Sequence, residues 1–169
     1  MLVEAVTAIL DRDLRALARQ VEAYPDDAAL WRTPDGAPNS AGTLVVHLAG
    51  NIQHYLGAHL AGTAFVRDRP GEFSARDVPR AALLRQIEAA QAAVRSAAKR
   101  SGDRALDEDF PEIVGGMRVA TGEYLIHLVS HFAYHLGQVD YHRRLVTGDR
   151  RGVDAVRAAE LGTARPVAD

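Results

Sequence analysis

The chain contains no cysteine. Disulfides, thiolate metal ligands and cysteine nucleophiles are therefore excluded. Lysine is almost missing as well: Lys99 is the only one, and arginine supplies the rest of the positive charge. The formal net charge is -2, so no excess of either sign draws the chain to nucleic acid or to an anionic membrane. No apolar run approaches the ~20 residues needed to span a bilayer. The first stretch, MLVEAVTAILDRDLRALARQ, interrupts its apolar residues with acids and arginines, which a signal peptide does not do. The expected location is the cytosol. At 169 residues, with 47% hydrophobic and 25% charged residues, the chain suits one globular domain.

Apolar residues recur at helical spacing in four long segments. The first covers residues 2–23, with Val6, Ile9, Leu10, Leu14, Leu17 and Val21 near one face and Pro25 as its stop. Residues 26–39 hold Trp31, Pro34, Gly36 and Pro38 and are expected to cross over the bundle end as a loop. The second helix is expected over 40–61, with Ser40 as N-cap. A charged loop follows over 62–79. Asp77 is expected to cap the third helix, with Pro79 in its first turn. That helix, AALLRQIEAAQAAVRSAAKR, is rich in alanine and should end at Ser101-Gly102; its exposed alanine face would suit a homodimer. Residues 103–120 fit either a loop or a short hairpin. The fourth helix is expected over 121–146, stopped by Gly148. The expectation is an all-α four-helix bundle over residues 1–150, then a tail over 151–169 with at most one short helix.

All seven histidines fall on the second and fourth helices: His47, His54, His59, His127, His131, His135 and His142. On the wheel of the fourth helix, Leu125, Leu128, Phe132, Leu136 and Val139 form the core stripe. His135 falls inside this apolar face, His131 on its border and His127 further out. Residues four apart lie about 6 Å apart along the axis, close enough for two imidazoles to bind one ion at about 2.0–2.1 Å per nitrogen. His127 and His135, about 12 Å apart, are too distant to share one. The pair is then His127 with His131 or His131 with His135, and the wheel favours the second. On the second helix His47 has the same border placement as His131, while His59 has a core-facing alternative. No H-E-x-x-H is present, so the zinc-protease arrangement with its own glutamate base is absent.

The segments LVVHLAGNIQHYLGAHLAGTAFVRDRPGEF and TGEYLIHLVSHFAYHLGQVDYHRRL resemble the DinB-like superfamily, and within it the DUF1572 branch. The most specific element is H-x-x-x-H-x-G-Q, here His131, His135, Gly137 and Gln138. The resemblance implies an up-down-down-up four-helix bundle, often a homodimer, with a three-histidine metal site formed by His47, His131 and His135. It also implies zinc or nickel as the ion. Two activities follow from it, hydrolysis and transfer of a low-molecular-weight thiol such as bacillithiol, mycothiol or glutathione. A non-catalytic metal-binding stress protein and a helical interaction module without metal are the alternatives from other classes.

Other side chains have expected places around this site. Asn51, His127 and Gln138 are candidates for support behind the ligands, with His127 otherwise a polar border residue. Glu123 reaches the site only from its far end. Asp140 is expected to be a solvated surface acid. Arg67, Asp68, Arg69 and Glu72 match a charged stretch of the family and are expected to form a surface ion-pair network. His54, His59 and His142 are expected to be structural or exposed, Tyr134 and Tyr141 to pack or to line a pocket mouth, and Trp31 to close the bundle end.

Overall fold

A computed structural model of the chain describes residues 2–100 and 106–167. The fold is all-α, as the DinB-like resemblance implies. Its elements are α1 (Leu2–Glu22), α2 (Asp27–Trp31), α3 (Ala41–Ile52), a π-helical continuation of α3 (Gln53–Leu60), α4 (Arg69–Ser74), α5 (Arg80–Arg100) and α6 (Thr121–Thr147). A single 3-10 turn, Ala158–Glu160, follows. Among the described residues there are no strands.

The long helices pack in a ring. α1 lies against α5 and α6, and α3 with its π continuation lies against the same two. Leu10, Leu14, Leu17 and Val21 of α1, Leu48, Ile52 and Leu56 of the second rod, Leu83 and Ile87 of α5 and Phe132 of α6 are fully buried at the centre. Each such side chain contributes about 1.5–3 kcal/mol on leaving water.

Both expected loops contain a short helix that the apolar period is too brief to reveal. Asp26 caps α2 by accepting from the Ala29 amide at 2.7 Å. Trp31, at the end of α2, donates from its indole to the Val78 carbonyl at 3.1 Å. Its ring lies so close to Gly42 that any Cβ there would overlap it, which requires glycine at that step of α3. Asp68 caps α4, accepting from the Gly71 amide at 2.9 Å.

Ser40 caps α3 as expected, accepting from the Thr43 amide. The cap of α5 differs from expectation. Asp77 takes a left-handed backbone conformation (φ 54), and α5 starts only at Arg80. The acid that meets its first amide is Asp27, at the start of α2, whose Oδ2 accepts from Arg80 N at 3.0 Å. Proximity in space, not in sequence, supplies this cap. The expected end of this helix at Ser101-Gly102 lies outside the described residues.

The hairpin alternative for the segment before α6 describes residues 106–120. Val114 and Met117 exchange backbone hydrogen bonds of 3.0 and 2.9 Å around Gly115-Gly116. Both glycines have positive φ, as a tight primed turn requires. α6 ends where Gly148 adopts the left-handed conformation and its N–H donates to the Arg144 carbonyl. The segment beyond it is tied to α1 through Arg19, which donates to the carbonyls of Val153 and Asp154, each at 3.0 Å.

Candidate metal centre

α3 and α6 bring His47, His131 and His135 together. The ring centroids lie 4.7 Å apart for His131 and His135, 5.3 Å for His47 and His131, and 5.4 Å for His47 and His135. All three pairs are close to perpendicular, and one ring nitrogen of each lies within 4.8 Å of the others. His47 is buried, and His131 and His135 are half-buried. His47 Nε2 stands 3.4 Å from His131 Nε2. Two nitrogens each about 2.0–2.1 Å from a tetrahedral ion would be about 3.3–3.4 Å apart.

The far nitrogens decide where the lone pairs point. Glu72 Oε2 is 2.9 Å from His47 Nδ1. A carboxylate only accepts, so the proton sits on Nδ1 and the lone pair of Nε2 faces the cluster. Arg67 Nη2 lies 3.4 Å from the same Nδ1, too long to compete with the carboxylate. On α6, Gln138 Oε1 lies 2.6 Å from His135 Nδ1, and donation to this amide oxygen leaves Nε2 of His135 as the acceptor. Outer partners of this kind orient metal-binding imidazoles.

Two of the three imidazoles are shifted toward the neutral form. Burial, then the neighbouring His135 and His47, lowers the His131 pKa from 6.5 to about 4. Burial also lowers His135 despite its bond to Gln138. Metal binding needs the neutral form. The imidazole donor set, the lone-pair direction of His47 and His135 and the lowered pKa of His131 and His135 fit a divalent ion of the zinc class.

Glu72 is the residue that the sequence reading misplaced. It belongs to a buried ion pair, not to a surface network. Arg67 donates from Nε to Oε1 at 2.7 Å and from Nη2 to Oε2 at 2.8 Å, and both side chains are under a tenth exposed. Burial alone would raise the Glu72 pKa, but the bonds from His47 and Arg67 outweigh it and hold the carboxyl ionised. The Arg67 guanidinium also lies 5.5 Å from the Tyr55 ring centroid. A Cβ at Gly50 of α3 would collide with the Glu72 carboxylate, so glycine there admits the acid. Of the other two charged residues in this stretch, Asp68 caps α4 and Arg69 covers the Phe73 ring. Phe73 packs its ring 4.8 Å from His47. The signal for Glu72 was its place in the family-like charged stretch; nothing in local spacing marks it as buried.

The other candidates divide. Gln138 contacts a histidine of the cluster, as described. Asn51 is buried on α3, but its Oδ1 has no hydrogen-bond partner and the structure shows it no bond to an imidazole. His127 is exposed; it stacks on Tyr124 at 5.6 Å and its centroid is 6.0 Å from that of His131. Glu123 is exposed. Asp140 is not a solvated acid: it accepts from Gln20 at 2.7 Å and Arg144 at 2.8 Å. Gln20 in turn accepts from the buried Arg143, which knits α1 to α6 away from the histidines. His142 is structural: its Nε2 donates to the Arg32 carbonyl at 2.7 Å and its Nδ1 accepts from Tyr24 at 2.8 Å.

A cavity of about 400 Å³ opens beside the cluster. His135 and Gln138 form its polar edge, and Leu44, Tyr134, Tyr141 and Leu145 its apolar wall. The volume lies in the range of small-molecule sites. The two tyrosines are largely exposed and stand at its mouth rather than in the core. Among the described residues, no helix is long and apolar enough to cross a membrane.

Comparison with known families, curated proteins and solved structures gives one finding. The model of the mycothiol-S-transferase family matches residues 5–148, which include all three histidines of the cluster. No curated protein and no solved structure matches. The chain thus belongs to the mycothiol-S-transferase family, a DinB/YfiT-like family.

Proposed function

We propose that the protein is a metal-dependent thiol-S-transferase in which His47, His131 and His135 hold a zinc or nickel ion. The observation that carries this reading is the convergence of three imidazoles, two of them fixed from behind by Glu72 and Gln138. Such an ion, when bound, stabilises a coordinated thiol as the thiolate. Mycothiol is the thiol the family name points to.

The family match favours thiol transfer over hydrolysis, and none of the described carboxylates near the cluster is placed as a general base for water. A hydrolase of this type benefits from a general base that accepts a proton from water. Glu72 faces the wrong nitrogen of His47 and is occupied by Arg67. Asp140 is engaged with Gln20 and Arg144, and Glu123 is exposed. Thiolate attack needs no such base. In the transfer, a sulfur–carbon bond forms as the bond from carbon to its leaving group breaks, and the thiol proton departs to solvent. The apolar wall of Leu44, Tyr134, Tyr141 and Leu145 would seat the electrophile beside His135.

The test uses zinc- or nickel-loaded protein with mycothiol and a haloalkyl fluorophore, and glutathione and bacillithiol in parallel. Thioether formation should depend on the metal and fall to background in His131→Ala. Equal rates in the wild type and His131→Ala, or release of product from an ester without any thiol, would overturn this reading.

A further inference from the structure

The π-helical turn builds a second cluster of metal-binding side chains. In an α-helix, residues five apart point about 140° away from each other. A π-turn closes i→i+5 hydrogen bonds, which brings residues five apart onto one face. Gln53–Leu60 has this geometry, and Ala61 N bonds back to Leu56 O at 2.9 Å. His54 and His59 therefore stand side by side, their ring centroids 4.7 Å apart and nearly perpendicular. Glu112, from the hairpin before α6, meets both: its Oε2 is 2.6 Å from Nε2 of His54 and 2.6 Å from Nε2 of His59.

We propose that His54, His59 and Glu112 form a second divalent-metal site, of the zinc class, that clips the hairpin onto the π-turn. Two imidazoles and one carboxylate are an established donor set for zinc. All three donor atoms lie within 4.8 Å of one another. Without an ion, one carboxylate oxygen must serve two N–H donors at once. An ion there would replace both protons, and each nitrogen–oxygen distance would lengthen by about 0.7 Å to the tetrahedral spacing of about 3.3 Å. The side chains are 19%, 23% and 36% exposed, which leaves a path for the ion and room for water as a further ligand. Phe110 and Tyr55 wall the site, with Phe110 packed 5.5 Å from His59 and 5.9 Å from Tyr55. Tyr124 lies 5.0 Å from Tyr55 and stacks on His127, so aromatic rings separate this site from the three-histidine cluster.

Zinc stoichiometry of the full chain by equilibrium dialysis tests this. The wild type should bind two equivalents. Glu112→Gln and His59→Ala should each retain one, with at least tenfold weaker binding of the second, and His131→Ala should also retain one. A zinc-edge anomalous map of wild-type crystals at saturating zinc gives a readout that no folding defect of a variant can confuse. Density between His54, His59 and Glu112 supports the site. A single equivalent that Glu112→Gln leaves intact and His131→Ala removes, or no density at this position, overturns it.

Discussion

Two histidine clusters draw on the rod formed by α3 and its π continuation, and they differ in where the carboxylate stands. At His47, His131 and His135, Glu72 sits behind an imidazole, on the nitrogen that points away from the cluster. At His54 and His59, Glu112 sits between the rings, on the nitrogens that point inward. In the first arrangement the acid fixes the His47 tautomer, as Gln138 fixes that of His135, so that both turn Nε2 toward the cluster. In the second the acid is itself a ligand candidate, and among the described residues His54 Nδ1 is buried without a hydrogen bond, as His131 Nδ1 is in the first. An ion at the first site would keep its full positive charge, as suits the ionisation of a bound thiol. An ion at the second would be partly neutralised by its carboxylate, as suits holding two segments together.

Removing a ligand from one cluster should break the comparison most sharply. His131→Ala should weaken metal binding at the three-histidine site by more than the roughly 100-fold that changes to outer partners produce. Competition against a chelating dye would measure this. Unchanged affinity would mean that the three nitrogens do not act together.

Glu72→Ala should follow in size, with an effect on stability as well as on metal. It leaves Arg67 charged and buried without its partner, a change of about 3–5 kcal/mol. It also releases the His47 tautomer, with a loss of about 10–100-fold in metal affinity. Urea unfolding of the metal-depleted protein isolates the first effect. Equal midpoints for wild type and Glu72→Ala would show that the pair is solvated rather than buried.

These two residues also show how far the sequence can be read. His131 and His135 were legible because an α-helical period places them at the edge of an apolar stripe, and the four long helices were legible for the same reason. His47 was legible from its matching place on the second rod together with the family resemblance. Glu72 was not, because α4 spans one turn and a half and carries no measurable period. The pairing of His54 with His59 was hidden because the wheel assumes 100° per residue and the chain there winds as a π-helix. Asp27 as the cap of α5, like Glu112 beside the two histidines, is a contact between segments distant in sequence, which no local rule encodes.

The pH dependence of stability sharpens the contrast further. In the folded, metal-depleted protein His131 stays neutral down to about 4, whereas the unfolded chain takes up its proton near 6.5. Between these values the unfolded state binds more protons, so stability falls as pH drops through this window. His131→Ala should flatten that part of the curve in thermal melts recorded from pH 7 to pH 4. An equally steep decline in the variant would assign the acid sensitivity to other groups, of which the buried His142 is the first to examine.

Gly50→Ala should give the smallest effect, and two opposing forces set its sign. Alanine is favoured over glycine inside a helix by about 1 kcal/mol. Its methyl group, however, would meet the Glu72 carboxylate, which Arg67 and His47 hold in place. The carboxylate must shift, and the bond to His47 Nδ1 lengthens with it. Global stability should therefore stay within about 1 kcal/mol of the wild type, while metal affinity falls by up to about tenfold. That split separates the position of the acid from the strength of the fold. A variant that gains stability and binds metal as well as the wild type would show that the three-histidine centre tolerates a displaced Glu72. The supporting role assigned to the acid would then pass to Gln138 alone.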